Sequence, residues 1–237
     1  MAVTQTKPIE LYYWPTPNGW KISIMLEELG VPYDLKMINI GKGDQFQPDF
    51  LKIAPNNRMP AIVDPEGPDG EPISVFESGA ILQYLGRKFR KFYPSAERAR
   101  VETEEWLMWQ MGGFGPMLGQ NHHFRIYAPE KLPYAMDRYL NEAHRLYGVL
   151  DRRLEGRDYV AAGEYTIADM SIIGWATLWE RQGMDIEEFQ NVKAWIARLE
   201  AREAVAKGLA LGREEREKLA IAENKDAQGV LFGQRAR

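Results

Sequence analysis

The segment Asp64-Pro65-Glu66-Gly67-Pro68-Asp69-Gly70-Glu71-Pro72 limits the fold more tightly than any other. It separates two short apolar runs, Ala61-Ile62-Val63 and Ile73-Ser74-Val75-Phe76. Gly, Pro and Asp at this density make a turn, and the connection is too short for a parallel crossover. The two runs are therefore expected to form an antiparallel hairpin. Upstream, Ile9 to Trp14 is rich in β-branched and aromatic residues and predicts a strand. Ile22, Met25, Leu26 and Leu29 then recur at helical spacing, and Gly30 stands where such a helix ends. Tyr33 to Ile40 predicts a second strand and Pro48 to Ile53 a short helical piece. After the hairpin, Ile81, Leu82, Tyr84 and Leu85 form another helical stripe. The order is β-α-β-α-β-β-α.

Beyond about residue 94 the pattern holds no further convincing strand. Leu140, Ala143, His144, Tyr147 and Leu154 mark a long amphipathic helix, with His144 read as a core histidine. Val192, Trp195, Ile196 and Leu199 mark another. Thr166-Ile167-Ala168-Asp169 reads as a capping-box variant opening an apolar helix. An α/β domain over 8–92 is thus expected to precede an all-helical domain over 96–211, with "FYPSAERAR" as the linker. Residues 212–237 form a polar tail, either helical over Glu214 to Ile221 or disordered. Its Val230-Leu231-Phe232 argues that it docks somewhere.

Composition excludes several functions. The formal net charge of −4 offers no basis for a nucleic-acid partner or an anionic membrane surface. No apolar run is long enough to span a bilayer. Met1 to Gln5 lacks the features of a secretory signal, so a cytoplasmic location is expected. The chain has no cysteine. That removes disulfide scaffolds, cysteine zinc sites and any protein thiol as nucleophile. His122 and His123 are adjacent and do not share a helix face, so no metal site is expected there.

Two places carry chemistry. At Glu77-Ser78 a strand meets a helix. Ser78 is placed to cap that helix, and the free N–H groups of its first turn suit a carboxylate. Glu77 is an acceptor for an ammonium, so the pair suits an α-amino-acid head group. Simple capping with a solvated Glu77 is the alternative. The second place is the turn after the first strand, "YYWPTPNGW". Thr16 offers a hydroxyl and Asn18 an amide near the helix start. One of Tyr12 and Tyr13 should face the core by strand alternation, which leaves a tyrosine hydroxyl open as well.

Asn56-Asn57-Arg58-Met59-Pro60-Ala61 and Phe76-Glu77-Ser78-Gly79-Ala80-Ile81 resemble two segments of the soluble glutathione transferases. Thr16-Pro17-Asn18-Gly19, the run from Gly41-Lys42-Gly43 to Gln45-Phe46, and "GGFGPMLGQNHHF" (112–124) resemble the Nu class. That class includes bacterial glutathione-dependent disulfide-bond oxidoreductases. The resemblance covers about residues 9 to 211. It implies a thioredoxin-like glutathione-binding domain followed by the all-helical glutathione-transferase domain. It implies a cis Met59–Pro60 bond and a glutathione site built from Gln45, Arg58, Met59, Pro60, Glu77 and Ser78. Thr16 and Asn18 become the catalytic pair that contacts glutathione sulfur. Arg138 is expected to reach across a homodimer to the neighbour's glutathione. With no protein thiol, the implied activity is disulfide-bond reduction by two bound glutathione molecules acting on a small disulfide, without a metal. Glutathione transfer to a hydrophobic electrophile, or cleavage of a glutathione thioether, is the alternative. A non-enzymatic binding or regulatory protein of this family is the second.

Overall fold

The computed structural model describes residues 5–219 and 221–235. The chain divides into two compact units. One runs to Phe89 and takes the chain back from Lys207 onward; the other is Arg90–Ala206.

The first unit is built on strands β1 (Ile9–Tyr13), β2 (Tyr33–Met37), β3 (Ala61–Asp64) and β4 (Ile73–Phe76), with helices α1 (Pro17–Leu29), α2 (Pro48–Ile53) and α3 (Ser78–Phe89). The sheet order is β2-β1-β3-β4. β1 lies parallel to β2 and antiparallel to β3. β3 and β4 form the expected hairpin, with Ala61 opposite Phe76 and Asp64 opposite Ile73. Ile9, Leu11 and Tyr13 share the fully buried face of β1.

α1 departs from a one-faced amphipathic helix. It buries every residue from Gly19 through Leu26, charged Lys21 included. Gly30 ends it at φ +67, where its N–H donates to the carbonyls of Leu26 and Glu27. Glycine enters this left-handed region without the Cβ penalty. β2 is shorter than expected, ending at Met37 rather than Ile40. The cause lies in the next residues. The Asn39 side chain accepts from the N–H groups of Gly41 (3.1 Å) and Lys42 (3.2 Å), and Asp44 accepts from the Asn39 N–H (2.9 Å). This side-chain turn pulls the backbone off the sheet.

The second unit is helical: α4 (Glu97–Trp109), α5 (Gly115–His122), α6 (Pro133–Leu154), α7 (Ile167–Ala176) and α8 (Gln190–Glu200). Wide π-helical turns at Gln110–Phe114 and His123–Tyr127 flank α5. The "GGFGPMLGQNHHF" segment supplies most of this stretch. Thr166 caps α7, and Asp169 accepts from the Thr166 N–H (3.0 Å), completing the capping box. Asp169 also accepts from the Val160 N–H and the Trp195 Nε1–H, both at 2.9 Å.

The buried line of α6 is Ala143, Leu146, Tyr147, Leu150 and Leu154. His144 is not in it, contrary to expectation. One residue on from Ala143, it is turned about 100° away around the helix. It is exposed, 3.0 Å from Glu188, with its ring against Phe189.

α9 (Glu203–Ala210) contains the boundary between the units. The tail then folds onto the first unit as α10 (Arg213–Leu219) and α11 (Lys225–Phe232). The first helix falls where the sequence allowed one; the second is new. Leu219 and Ala227 are buried with Trp14, and Met37, Ile40, Met59 and Ile221 pack around them.

Candidate functional site

The turn from β1 into α1 is shaped by its own polar groups. Thr16 has extended backbone and is the N-cap of α1, its Oγ accepting from the Gly19 N–H at 3.2 Å. Pro17 occupies the first helical turn, where the missing N–H costs no hydrogen bond. Asn18 follows it. The N-terminal end of α1, with its partial positive charge, therefore carries a hydroxyl and an amide side by side.

A sulfur atom already lies against this turn. Met59 Sδ accepts from the Trp14 N–H at 3.1 Å and from the Thr16 hydroxyl at 3.8 Å. The Met59–Pro60 bond is cis, as expected. Met59 is half-buried and joins two apolar groups. On one side are Ile38, Phe50 and Ala61; on the other are Trp14 and the tail residues Leu219 and Ala227.

Neither tyrosine of β1 serves the turn. Tyr13 is fully buried and donates its hydroxyl to the Leu211 carbonyl at 3.0 Å. Tyr12 points to the opposite face, against Phe50, and donates to Glu10 at 2.9 Å. Burial raises both phenols, with Tyr12 pushed to about 12 and assisted there by the Glu10 carboxylate. A hydroxyl held this strongly protonated is a poor acid near neutral pH.

Gln45 lies in the loop between β2 and α2. Its side chain is buried, with Nε2 donating to the Ile40 carbonyl at 3.2 Å. The tail covers this loop. A Cβ at Gly41 would lie 2.5 Å from Leu219 Cδ1 and 3.1 Å from Ala227 Cβ, so a side chain there would displace Leu219 and crowd α11. Arg58 is exposed.

At the β4–α3 corner, Glu77 takes φ +68, a conformation uncommon for a non-glycine residue and concentrated at functional sites. Its carbonyl accepts from the Ile81 N–H (2.9 Å), and its exposed carboxylate accepts from Asn56 Nδ2 (3.2 Å). Ser78 is buried, and Lys21 Nζ donates to its Oγ at 3.4 Å. Lys21 is itself 1% exposed. Burial pushes its ammonium down to about 7, against the pull of Glu77.

The first unit thus carries Thr16, Asn18, Gln45, Arg58, Met59, Pro60, Glu77 and Ser78. Arg138 belongs to the second unit, exposed on α6 and 4.0 Å from Glu142. Reasoning from sequence missed three contributors. Asn56 orients Glu77, Lys21 lies behind Ser78, and the tail covers the Gln45 loop. Lys21 had a legible signal: a lone charge inside the apolar run "GWKISIML". His122 is buried with its ring 6.0 Å from Trp175. Among the described residues no group of three or more His, Asp or Glu side chains is arranged to hold a metal ion.

Two family profiles match the chain. "Glutathione S-transferase, N-terminal domain" covers residues 7–87, and "Glutathione S-transferase, C-terminal domain" covers 115–203. The disulfide-bond oxidoreductase YfcG of Escherichia coli (strain K12) is 49% identical over 202 residues, 85% of this chain and 94% of the relative. A glutathione transferase family member from Pseudomonas fluorescens, solved with two glutathione bound, superposes with a TM-score of 0.81 at 45% identity, covering 85% of this chain and 92% of that one. A glutathione transferase from Pseudomonas putida, solved with one glutathione disulfide per subunit, gives 0.83 at 42% identity, covering 88% and 94%.

Proposed function

This chain belongs to the glutathione S-transferase family, and from that premise we propose that it reduces disulfide bonds with two glutathione molecules bound per subunit. The observation that carries the proposal is the pairing of an N-terminal helix end, bearing Thr16 and Asn18, with the absence of any cysteine in the chain. Such a turn cannot attack a disulfide. It can hold and ionise a thiol that arrives with the substrate.

Glutathione is an extended peptide with an α-amino-acid head. In this proposal the head carboxylate meets the Ser78 end of α3 and its ammonium meets Glu77, which Asn56 steadies. The cysteinyl backbone runs past Met59 as an added strand edge. The glycyl end lies toward the Gln45 loop, with Arg58 within reach of its carboxylate. Sulfur then comes to the first turn. The Thr16 oxygen keeps accepting from the Gly19 N–H while its hydrogen turns from Met59 Sδ to the thiolate. Asn18 donates as well, and the positive end of α1 favours the anion.

The chemistry is two exchanges. The first thiolate attacks one sulfur of the substrate disulfide, forming a mixed disulfide and expelling a substrate thiolate, which takes up a proton. The second glutathione thiolate attacks the glutathione sulfur of the mixed disulfide. Glutathione disulfide forms and the second substrate thiolate leaves. The relatives solved with two glutathione or with glutathione disulfide support this reading. The protein's contribution is alignment and thiolate stabilisation. We further propose a cytoplasmic homodimer in which Arg138 serves the partner's site. Val101 and Met108, seven residues apart on α4 and 42% and 51% exposed, are apolar surface of the kind a subunit contact covers.

Steady-state turnover of a small disulfide with glutathione as the only reductant tests the proposal. Rates on an electrophile that exceed those on the disulfide favour conjugation instead.

A further inference from the structure

Lys21 is the most unusual side chain of the first unit. Lysine is almost never fully buried unless it is paired. Here it sits in the middle of a helical run that is buried throughout, and two of its neighbours lie at the α3 corner. Its Nζ is 3.4 Å from Ser78 Oγ, and the Glu77 carboxylate attracts it.

We propose that Lys21 is the buried cation of the γ-glutamyl subsite, a positioning residue that orients Ser78 and balances the ligand's α-carboxylate from behind. This rests on the reading that the corner binds the head of glutathione. Charge counting supports it. A filled subsite contains the Glu77 carboxylate, the ligand carboxylate and the ligand ammonium. Without Lys21 those three sum to one negative charge in a half-dehydrated corner; with it they sum to zero. The partial charge at the end of α3 helps but amounts to about half of one unit.

Direction matters too. The Lys21 ammonium donates to Ser78 Oγ, so the serine oxygen faces inward as acceptor. Burial holds the lysine near the edge of ionisation at neutral pH, so an arriving anion shifts it to the ammonium form. Glu77 provides the opposing pull, and its carboxylate is the group that engages the ligand ammonium.

The test uses the full chain and two thiols: glutathione, and 4-aminobutanoyl-cysteinylglycine, which keeps the amine and lacks the α-carboxylate. Lys21→Met is expected to raise KM for glutathione by about tenfold or more, the size of a lost charge-assisted contact, with kcat within about twofold. KM for the decarboxy thiol is expected to be the same in wild type and variant. Lys21→Arg keeps the charge and is expected to keep the preference for glutathione. Equal losses for both thiols in Lys21→Met, an unchanged glutathione KM, or a Lys21→Arg enzyme that no longer distinguishes the thiols overturns the assignment. Wild-type protein that does not prefer glutathione to the decarboxy thiol overturns the reading of the corner itself.

Discussion

Besides its long 3.8 Å contact with Met59 Sδ, replacing Thr16 with alanine removes two hydrogen bonds of different kinds, and each has its own readout. The first is the N-cap bond from the Gly19 N–H, 3.2 Å in the free protein. Its loss costs about 1 kcal/mol. In a chain of this size that lowers Tm by roughly 2–4 °C. The second forms only with glutathione bound: the hydroxyl donating to the thiolate. A hydrogen bond to a charged group contributes about 1.5–3 kcal/mol. The donor favours the anion, so removing it raises the bound thiol's pKa, by roughly 1–2 units. The assay is the ultraviolet absorbance of thiolate against pH in the glutathione-saturated protein. Because the chain has no cysteine, every thiol that titrates belongs to glutathione, and the tyrosine contribution is subtracted with the glutathione-free protein. Thr16→Ser is expected to restore both Tm and thiol pKa. A Thr16→Ala protein with the lower Tm but an unchanged thiol pKa would refute the reasoning, leaving Thr16 as a cap and nothing more.

Asn18→Ala is expected to lower kcat/KM by about tenfold, and Asn18→Asp by more, because a carboxylate beside the sulfur opposes thiolate formation; disulfide-reduction kinetics measures both. Leu219→Ala should destabilise the protein by about 2 kcal/mol. Hydrogen exchange should quicken in α10, α11 and the loop around Gly41, which Leu219 touches. Asp169 has the opposite pH behaviour to most carboxylates. Burial raises it to about 6 despite its four hydrogen bonds. A folded pKa above the unfolded one gives stability that is full below about pH 4 and is lost as pH rises through 6. The stability advantage of wild type over Asp169→Ala should therefore shrink from pH 4 to pH 6.5 in denaturant titrations.

Much of this architecture is legible in the sequence because local signals and tertiary structure agree. The Pro/Gly turn can only be a hairpin, and Thr166 with Asp169 can only start a helix at that spacing. The failures share a cause: they depend on contacts distant in sequence. Asn39 and Asp44 end β2 early through side-chain bonds that compete with the ladder. α11 forms because Ala227 reaches Trp14, more than 200 residues away, and no local propensity announces that. His144 sits beside an apolar line, and a sparse stripe cannot say which of two adjacent residues faces inward. The candidate site divides in the same way. Ser78 and Glu77 announce themselves at a strand-to-helix corner, and Thr16 as a hydroxyl in the turn before α1, which it proves to cap. Lys21 shows only as a lone charge in an apolar run, and its significance comes from α3, brought against α1 by the fold.

The most direct test of the account is a crystal structure of the protein with glutathione. It is expected to show two molecules in each subunit. The sulfur of one should lie within hydrogen-bond reach of Thr16 Oγ and Asn18 Nδ2, and its α-carboxylate should rest on Ser78 with the Lys21 ammonium behind it. A single glutathione per subunit, or a sulfur out of reach of both side chains, would contradict the proposal that two glutathione thiols do the work of the cysteine the chain lacks.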